Sequence, residues 1–180
     1  MKIYTKAGDT GNTQVYLSDI KRVSKDDIIL TCYGDLDELN SHIGLLAAMF
    51  SNASIKPNAD FLSVEFLQSI QQDLFKIGFA ISDKPQLDEY RVALLENKID
   101  NLQASLPPQT QFILPGGSSL ASQAHICRAV ARRAERSLVS LSKQADVPSV
   151  CLQYINRLSD LLFASARWCN AELNTSDHCV

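Results

Sequence analysis

"SLASQAHICRAVARRAERSLVSLSKQ", residues 119–144, is the stretch whose reading decides the fold. It contains neither Gly nor Pro. Unrolled at about 100° per residue, it places Ile126, Val130, Ala134 and Leu141 on one apolar side. His125, Arg128, Arg132, Glu135 and Arg136 fall opposite. A long segment with one greasy stripe and one polar stripe is a helix that buries a single face.

The same period recurs on both sides of this stretch. It predicts helices over 34–50, 61–82, 87–106, 119–144 and 149–172. The breaks between them, "SNASIKPNAD", "SDKPQ", "PPQTQFILPGGSS" and "KQADVPS", carry Pro or Asn, Asp and Ser. Short breaks between long helices argue for an antiparallel, up-down bundle. The expected fold is therefore all-α: a five-helix bundle over 32–172, a non-helical segment over 1–31 and a tail over 173–180, in one domain. Within 1–31 only "TQVYL" and "DIILT" look strand-like. The helices over 61–82 and 87–106 read as ordinary amphipathic helices. The other three carry a second, distinctive side. On the first, Leu36, Leu39, Ile43, Leu46 and Phe50 oppose Asp37, Asn40, Ser41, Gly44 and Ala48. On the last, Ile155, Leu158, Leu162 and Cys169 oppose Asn156, Asp160, Phe163 and Arg167. Such faces suit a ligand site or a subunit interface.

Composition narrows the function classes. The 180 residues are 46% hydrophobic and 21% charged, with a formal net charge of -3. That balance argues against general nucleic-acid or membrane binding, so any anion site must be built locally. No apolar run is long enough to span a bilayer. The five cysteines, Cys32, Cys127, Cys151, Cys169 and Cys179, form no C-x-x-C pair, which fits reduced thiols in a cytoplasmic protein. Because the pattern starts at Ile3, we expect no leader peptide. His42, His125 and His178 lack metal-ligand spacing, and no nucleophile–base pair stands out.

Several blocks can carry chemistry. "YTKAGDTGNTQ", residues 4–14, is not a Walker A loop, yet Gly8 and Gly11 permit close backbone approach, Lys6 adds a cation and the threonines add donors. It is a phosphate cradle or a polar turn, and such turns are common. "RAVARRAER", residues 128–136, groups arginines that can grip phosphate bidentately or form a solvated salt-bridged face. Asn156 and Asp160 can meet a ribose or a neighbouring Arg, the latter preferred for Asp160. "FILPGGSS", residues 112–119, is a helix connector, but Phe112 and Ile113 are apolar loop residues able to cover a ligand. Asp37 faces away from the core and suits an ion pair across a boundary.

Taken in order, "IYTKAGDTG", "RVSKDD", "YGDLDELN", "FILPGGSSLASQAHICRAVARRAER" and "INRLSDLLFASAR" resemble the PduO-type ATP:cob(I)alamin adenosyltransferases across nearly the whole chain. The resemblance implies a homotrimer with active sites between subunits and Mg2+ held mainly through the phosphates of ATP. It implies that Thr5, Lys6, Ala7 and Gly8 wrap the triphosphate, with Thr13, Gln14 and Lys25 nearby. Arg132, Arg133, Glu135, Arg136 and Asn156 complete the ATP site, and Asp37 and Arg128 form an intersubunit ion pair. Lys6, Arg128, Arg132 and Asp37 are the residues expected to matter for catalysis. Phe112 closes the lower face of the corrin, with help from Phe163. The implied reaction moves the 5′-deoxyadenosyl group of ATP to the cobalt of cob(I)alamin, leaving triphosphate. It implies that cob(II)alamin binds first as a four-coordinate species, and that a reductase and an adenosylcobalamin-dependent enzyme are partners. The alternative is an escort that holds adenosylcobalamin without making it. "CYG" stands where the family has Ala-Tyr-Gly, and "NTQVYLSDIKRV" lacks the family's common glycine.

Overall fold

The computed structural model describes residues 2–4, 6–16, 20–55, 61–82 and 87–180. Two antiparallel strands, β1 (Asn12–Tyr16) and β2 (Ile20–Ser24), pair from Asn12↔Ser24 to Tyr16↔Ile20. Five helices follow: α1 (Ile28–Ser51), α2 (Val64–Ile81), α3 (Glu89–Ala104), α4 (Ser119–Leu141) and α5 (Ser149–Glu172). The all-α bundle with a non-helical N-terminal segment is as expected, with two local corrections.

The first is where α1 begins. "DIILT" reads as a strand because β-branched residues favour extended backbone. Instead Asp27 caps a helix that starts at Ile28, accepting a hydrogen bond from the Ile29 N–H at 2.9 Å. Thr31 N–H then closes the first turn onto the Asp27 carbonyl at 3.0 Å. Ser63, Asp88 and Ser118 cap α2, α3 and α4 in the same way, while α5 starts at Pro148 without a side-chain cap.

The second concerns the phase of α4. This helix lies between α1 and α5; α2 packs on the far side of α1 and α3 on the far side of α5. Two neighbours require a broad buried arc, and α4 supplies it with small residues: Ala121, Ala124, Cys127, Ala131 and Ala134 are all buried. Small side chains at three- and four-residue spacing let flanking helices approach closely. Val130, Ala134 and Leu141 are buried as the periodicity predicts, but Ile126 is 45% exposed and His125 is 4% exposed. Between its two neighbours the helix buries the small residues around Cys127 together with His125, and Ile126 is left at the outer edge of the arc.

The core is completed by Leu39, Ile43 and Leu46 of α1, Ile70 and Ile77 of α2, Leu95 and Leu102 of α3, and Ile155, Leu158 and Leu161 of α5. Each such side chain stabilises the fold by roughly 2 kcal/mol relative to exposure. Polar groups are buried with them, and the charged one is Asp73. Asp73 of α2 is 1% exposed and accepts hydrogen bonds from Arg91 Nε of α3 at 2.6 Å and from Tyr154 Oη of α5 at 2.9 Å. This node joins three helices, and its charge is tolerable because Arg91 neutralises it. Asp73→Ala strands the guanidinium and the phenol. We predict a loss of about 3 kcal/mol in urea denaturation. A change within experimental error would contradict a structural role for the node.

Candidate active site

The N-terminal loop is a tight double turn. Asp9 N–H reaches the Lys6 carbonyl at 3.3 Å, and Gly11 N–H reaches that of Gly8 at 3.2 Å. Lys6 has φ 61°, a left-handed conformation that a non-glycine residue adopts at a cost. Gly11 has φ 78°, and its carbonyl accepts from Lys25 N–H at 2.9 Å, tying the loop to the end of β2. Arg22 donates to the Ala7 carbonyl at 3.2 Å. A Cβ on Gly8 would lie 3.1 Å from Lys25 Nζ, so glycine gives the lysine room over the turn. Lys6, Arg22 and Lys25 thus belong to one small cationic turn, with Thr13 and Gln14 on the adjoining strand opposite Val23 and Arg22. Sequence reasoning missed Arg22; hairpin pairing brings it to the loop. Thr5 lies outside the described residues.

A second cluster stands on the outward arc of α4 and on α5. Arg132 and Arg136 are exposed and one turn apart. Between them Glu135 Oε1 accepts from Asn156 Nδ2 at 2.9 Å. Arg157 Nη1 donates to Asn156 Oδ1 at 2.8 Å and its Nε to Glu96 at 2.8 Å, so the amide of Asn156 is held from both ends. Arg133 points elsewhere: its Nε meets Asp35 at 2.9 Å, it also bonds Glu38, and Ser137 shares Asp35. In this chain Arg133 therefore braces α4 against α1.

Arg128 and His125 look unfinished. Arg128 Nε is buried with no acceptor, and both ring nitrogens of His125 are buried without partners. Leaving a buried donor unpaired costs roughly 1–3 kcal/mol. Asp37 is exposed and makes no ion pair among the described residues. Asp37 and Arg128 are thus complementary in charge, and neither is joined to the other among the described residues. His125 sits edge-on to Phe163, 6.0 Å between ring centres. Burial, aided by Arg128, pushes its pKa down, while Asp177 opposes that shift.

Two apolar features remain. A groove of about 590 Å³ opens between β1, α1 and α2, lined by Tyr16, Tyr33, Asp37, Phe75 and Phe79 among others. Tyr16, Phe75 and Phe79 are 65%, 59% and 49% exposed. Sequence reasoning treated α2 as ordinary; two phenylalanines four apart, outside the Leu67–Ile70–Leu74–Ile77 stripe, were the available signal. Phe112 stands 84% exposed in the loop before α4. The described residues contain no cluster of three His, Cys, Asp or Glu able to hold a metal ion. Burial pushes the thiols of Cys32 and Cys151 up to about 11 and those of Cys127 and Cys169 up to about 12, which disfavours them as nucleophiles.

Residues 3–169 match cobalamin adenosyltransferase. The chain belongs to the cobalamin adenosyltransferase family. It is 41% identical to a corrinoid adenosyltransferase of Bacillus subtilis over 182 residues, covering 98% of this chain and 91% of that one. It is 44% identical to a cobalamin adenosyltransferase of Cupriavidus metallidurans, covering 98% and 92%. The fold also superposes on a variant PduO-type ATP:corrinoid adenosyltransferase from Lactobacillus reuteri, complexed with cobalamin and ATP. Here the TM-score is 0.86 at 34% identity, covering 99% of each chain. For this family member, no described helix is long and apolar enough to cross a membrane.

The buried His125 gives a pH test. Its folded pKa lies below the ordinary 6.5, so the unfolded chain binds the proton more tightly. Its stabilising contribution is present above pH 6.5 and is lost as pH falls through the folded value. Whatever its value at high pH, the stability of the native chain relative to His125→Leu should therefore fall from about pH 8 to about pH 5 in urea titrations. Parallel curves would show that His125 is not buried neutral.

Proposed function

We propose that this chain transfers the 5′-deoxyadenosyl group of ATP to the cobalt of a reduced corrinoid, giving an adenosylcorrinoid and triphosphate. The observation that carries the reading is the pairing of a cationic glycine turn with a separate arginine face, in a chain that matches this family over residues 3–169. The escort alternative finds no support in the relatives, which are adenosyltransferases.

The chemistry needs little covalent help from the protein. Co(I) is itself the nucleophile: a Co–C5′ bond forms as the C5′–O bond of ATP breaks, and the electron pair departs with triphosphate. The protein holds the two reactants in line and stabilises charge on the leaving group. Lys6, Ala7 and Gly8 supply the turn that wraps the phosphates, with Thr5, Thr13, Gln14 and Lys25 beside it. Arg22 adds a further cation, Arg132 and Arg136 approach the leaving oxygens, and Asn156 with Glu135 positions the ribose end. Arg133 acts through its brace to Asp35 and Glu38. A divalent ion such as Mg2+ would be held mainly through the phosphates of ATP, where it would add to the charge stabilisation of the leaving group.

The corrin requires apolar surface. Phe112 covers its lower face and Phe163 supports it, favouring a cob(II)alamin whose lower nitrogen ligand has been displaced. The aromatic groove of Tyr16, Phe75 and Phe79 and the unfinished Arg128 face meet in neighbouring subunits. Asp37 of one chain pairs with Arg128 of the next, and three chains close a ring. Single-electron reduction and delivery of the product fall to partner proteins in the cytoplasm, where the five free thiols stay reduced.

Turnover with cob(I)alamin and ATP, followed by the corrin spectrum, tests this reading. We expect Arg132→Ala and Lys6→Ala each to lower kcat/KM by about a hundredfold or more, while Phe112→Ala lowers kcat with ATP affinity retained. Corrinoid binding without any ATP-dependent product in the native chain would replace transfer by the escort role.

A further inference from the structure

The C-terminal tail is held against the loop that carries Phe112. Leu114 N–H donates to the His178 carbonyl at 2.8 Å, and Val180 N–H donates to the Phe112 carbonyl at 2.9 Å. Ile113 and Cys179 face each other as an antiparallel bridge. The last residues of the chain therefore form a one-rung strand on residues 112–114.

The base of this strand is fixed by one buried side chain. Asn170 of α5 is 2% exposed. Its Oδ1 accepts from Ser118 N–H at 2.9 Å, and its Nδ2 donates to the Gly116 carbonyl at 3.1 Å and to Asp177 Oδ1 at 3.0 Å. Asp177 Oδ2 also accepts from Arg167 Nε at 3.1 Å, and Arg167 Nη2 donates to the Pro107 carbonyl at 3.0 Å. The amide of Asn170 thus ties the α4 end of the loop and the tail to α5, while Arg167 holds the other end of the loop at Pro107. Gly117 has φ 99°, and a Cβ there would lie 2.4 Å from the amide, so the loop backbone is pressed onto this residue. An apolar ring on an exposed loop has no packing of its own to fix it: Phe112 is 84% exposed. The hydrogen bonds at its own carbonyl and at Leu114 are what set its direction.

We propose that Asn170, acting with Asp177 and the strand His178–Val180, is the positioning device that presents Phe112 to the corrin. This rests on the function proposed above. Without the strand, residues 112–114 lose two backbone hydrogen bonds and the ring samples other orientations. The corrin then keeps its lower ligand more often, while the ATP loop, at the opposite end of the chain, is untouched.

The test compares the native chain with a deletion of residues 178–180, which removes no helix, and with Asp177→Ala and the conservative Asp177→Asn. Three quantities are read: the spectroscopic fraction of four-coordinate cob(II)alamin in the presence of ATP, kcat, and the Kd for ATP. The deletion should lower the four-coordinate fraction and kcat by about tenfold, with the ATP Kd within about twofold of native. Asp177→Ala should act in the same direction, and Asp177→Asn should recover part of the loss. In a Phe112→Ala background the deletion should add nothing, because the ring it positions is gone. Native four-coordinate fraction and kcat in the deletion variant would overturn the inference alone, as would full additivity with Phe112→Ala. No adenosyl transfer by the native chain would overturn the proposed function and this inference with it.

Discussion

The fold depends on one constraint: α4 must pack against α1 and α5 at once. Its inward arc carries four alanines and Cys127 among larger residues such as Leu120, Val130, Leu138 and Leu141, because small side chains let two helices close on a third. This leaves a single outward arc for everything else the helix carries. Arg128, Arg132, Glu135 and Arg136 are therefore gathered on one strip by packing geometry, and Arg133 is diverted to Asp35 and Glu38 at the edge of α1. The same constraint fixes the neighbours. Asn156 can meet Glu135 at 2.9 Å because α5 is the helix that lies against α4.

The division of labour in the proposed reaction follows from that layout. A reduced cobalt centre brings its own nucleophilic electron pair, so the bundle has no need of an activated side chain, and its buried thiols are held away from ionisation. What the bundle supplies is position and charge. The charge comes in two parcels, a turn closed by hydrogen bonds onto the Lys6 and Gly8 carbonyls and tied to Lys25, and an arginine strip on a helix. Arg128, whose buried Nε has no acceptor among the described residues, and Asp37, which has no ion pair among them, are the groups that the proposed assembly joins.

Much of this was legible in the sequence. Helical period placed the bundle, and the faces of α1 and α5 were read correctly: Leu39, Ile43 and Leu46 are buried, as are Ile155, Leu158 and Leu162. The arginine strip was visible as spacing alone. Three things were not legible. The start of α1 was hidden because β-branched residues followed a capping aspartate. The phase of α4 was hidden because contact with two helices widens the buried arc, which brings His125 in against Phe163 and leaves Ile126 outside. The N-terminal hairpin joined Arg22 to the turn through strand pairing, a long-range contact that local pattern does not report. Phe75 and Phe79 were present in the pattern but look like ordinary surface residues until a groove forms beside them.

The central claim is that the loop of one chain and the arginine strip of another make one site. Co-folding equal amounts of two inactive variants, one with Lys6→Ala and one with Arg132→Ala, tests it directly. If each site takes its loop and its strip from different chains, about a quarter of the sites in mixed assemblies pair an intact loop with an intact strip, and transfer activity returns to about that fraction of native. If both parts come from the same chain, every site carries one lesion, and the mixture stays as inactive as either variant alone.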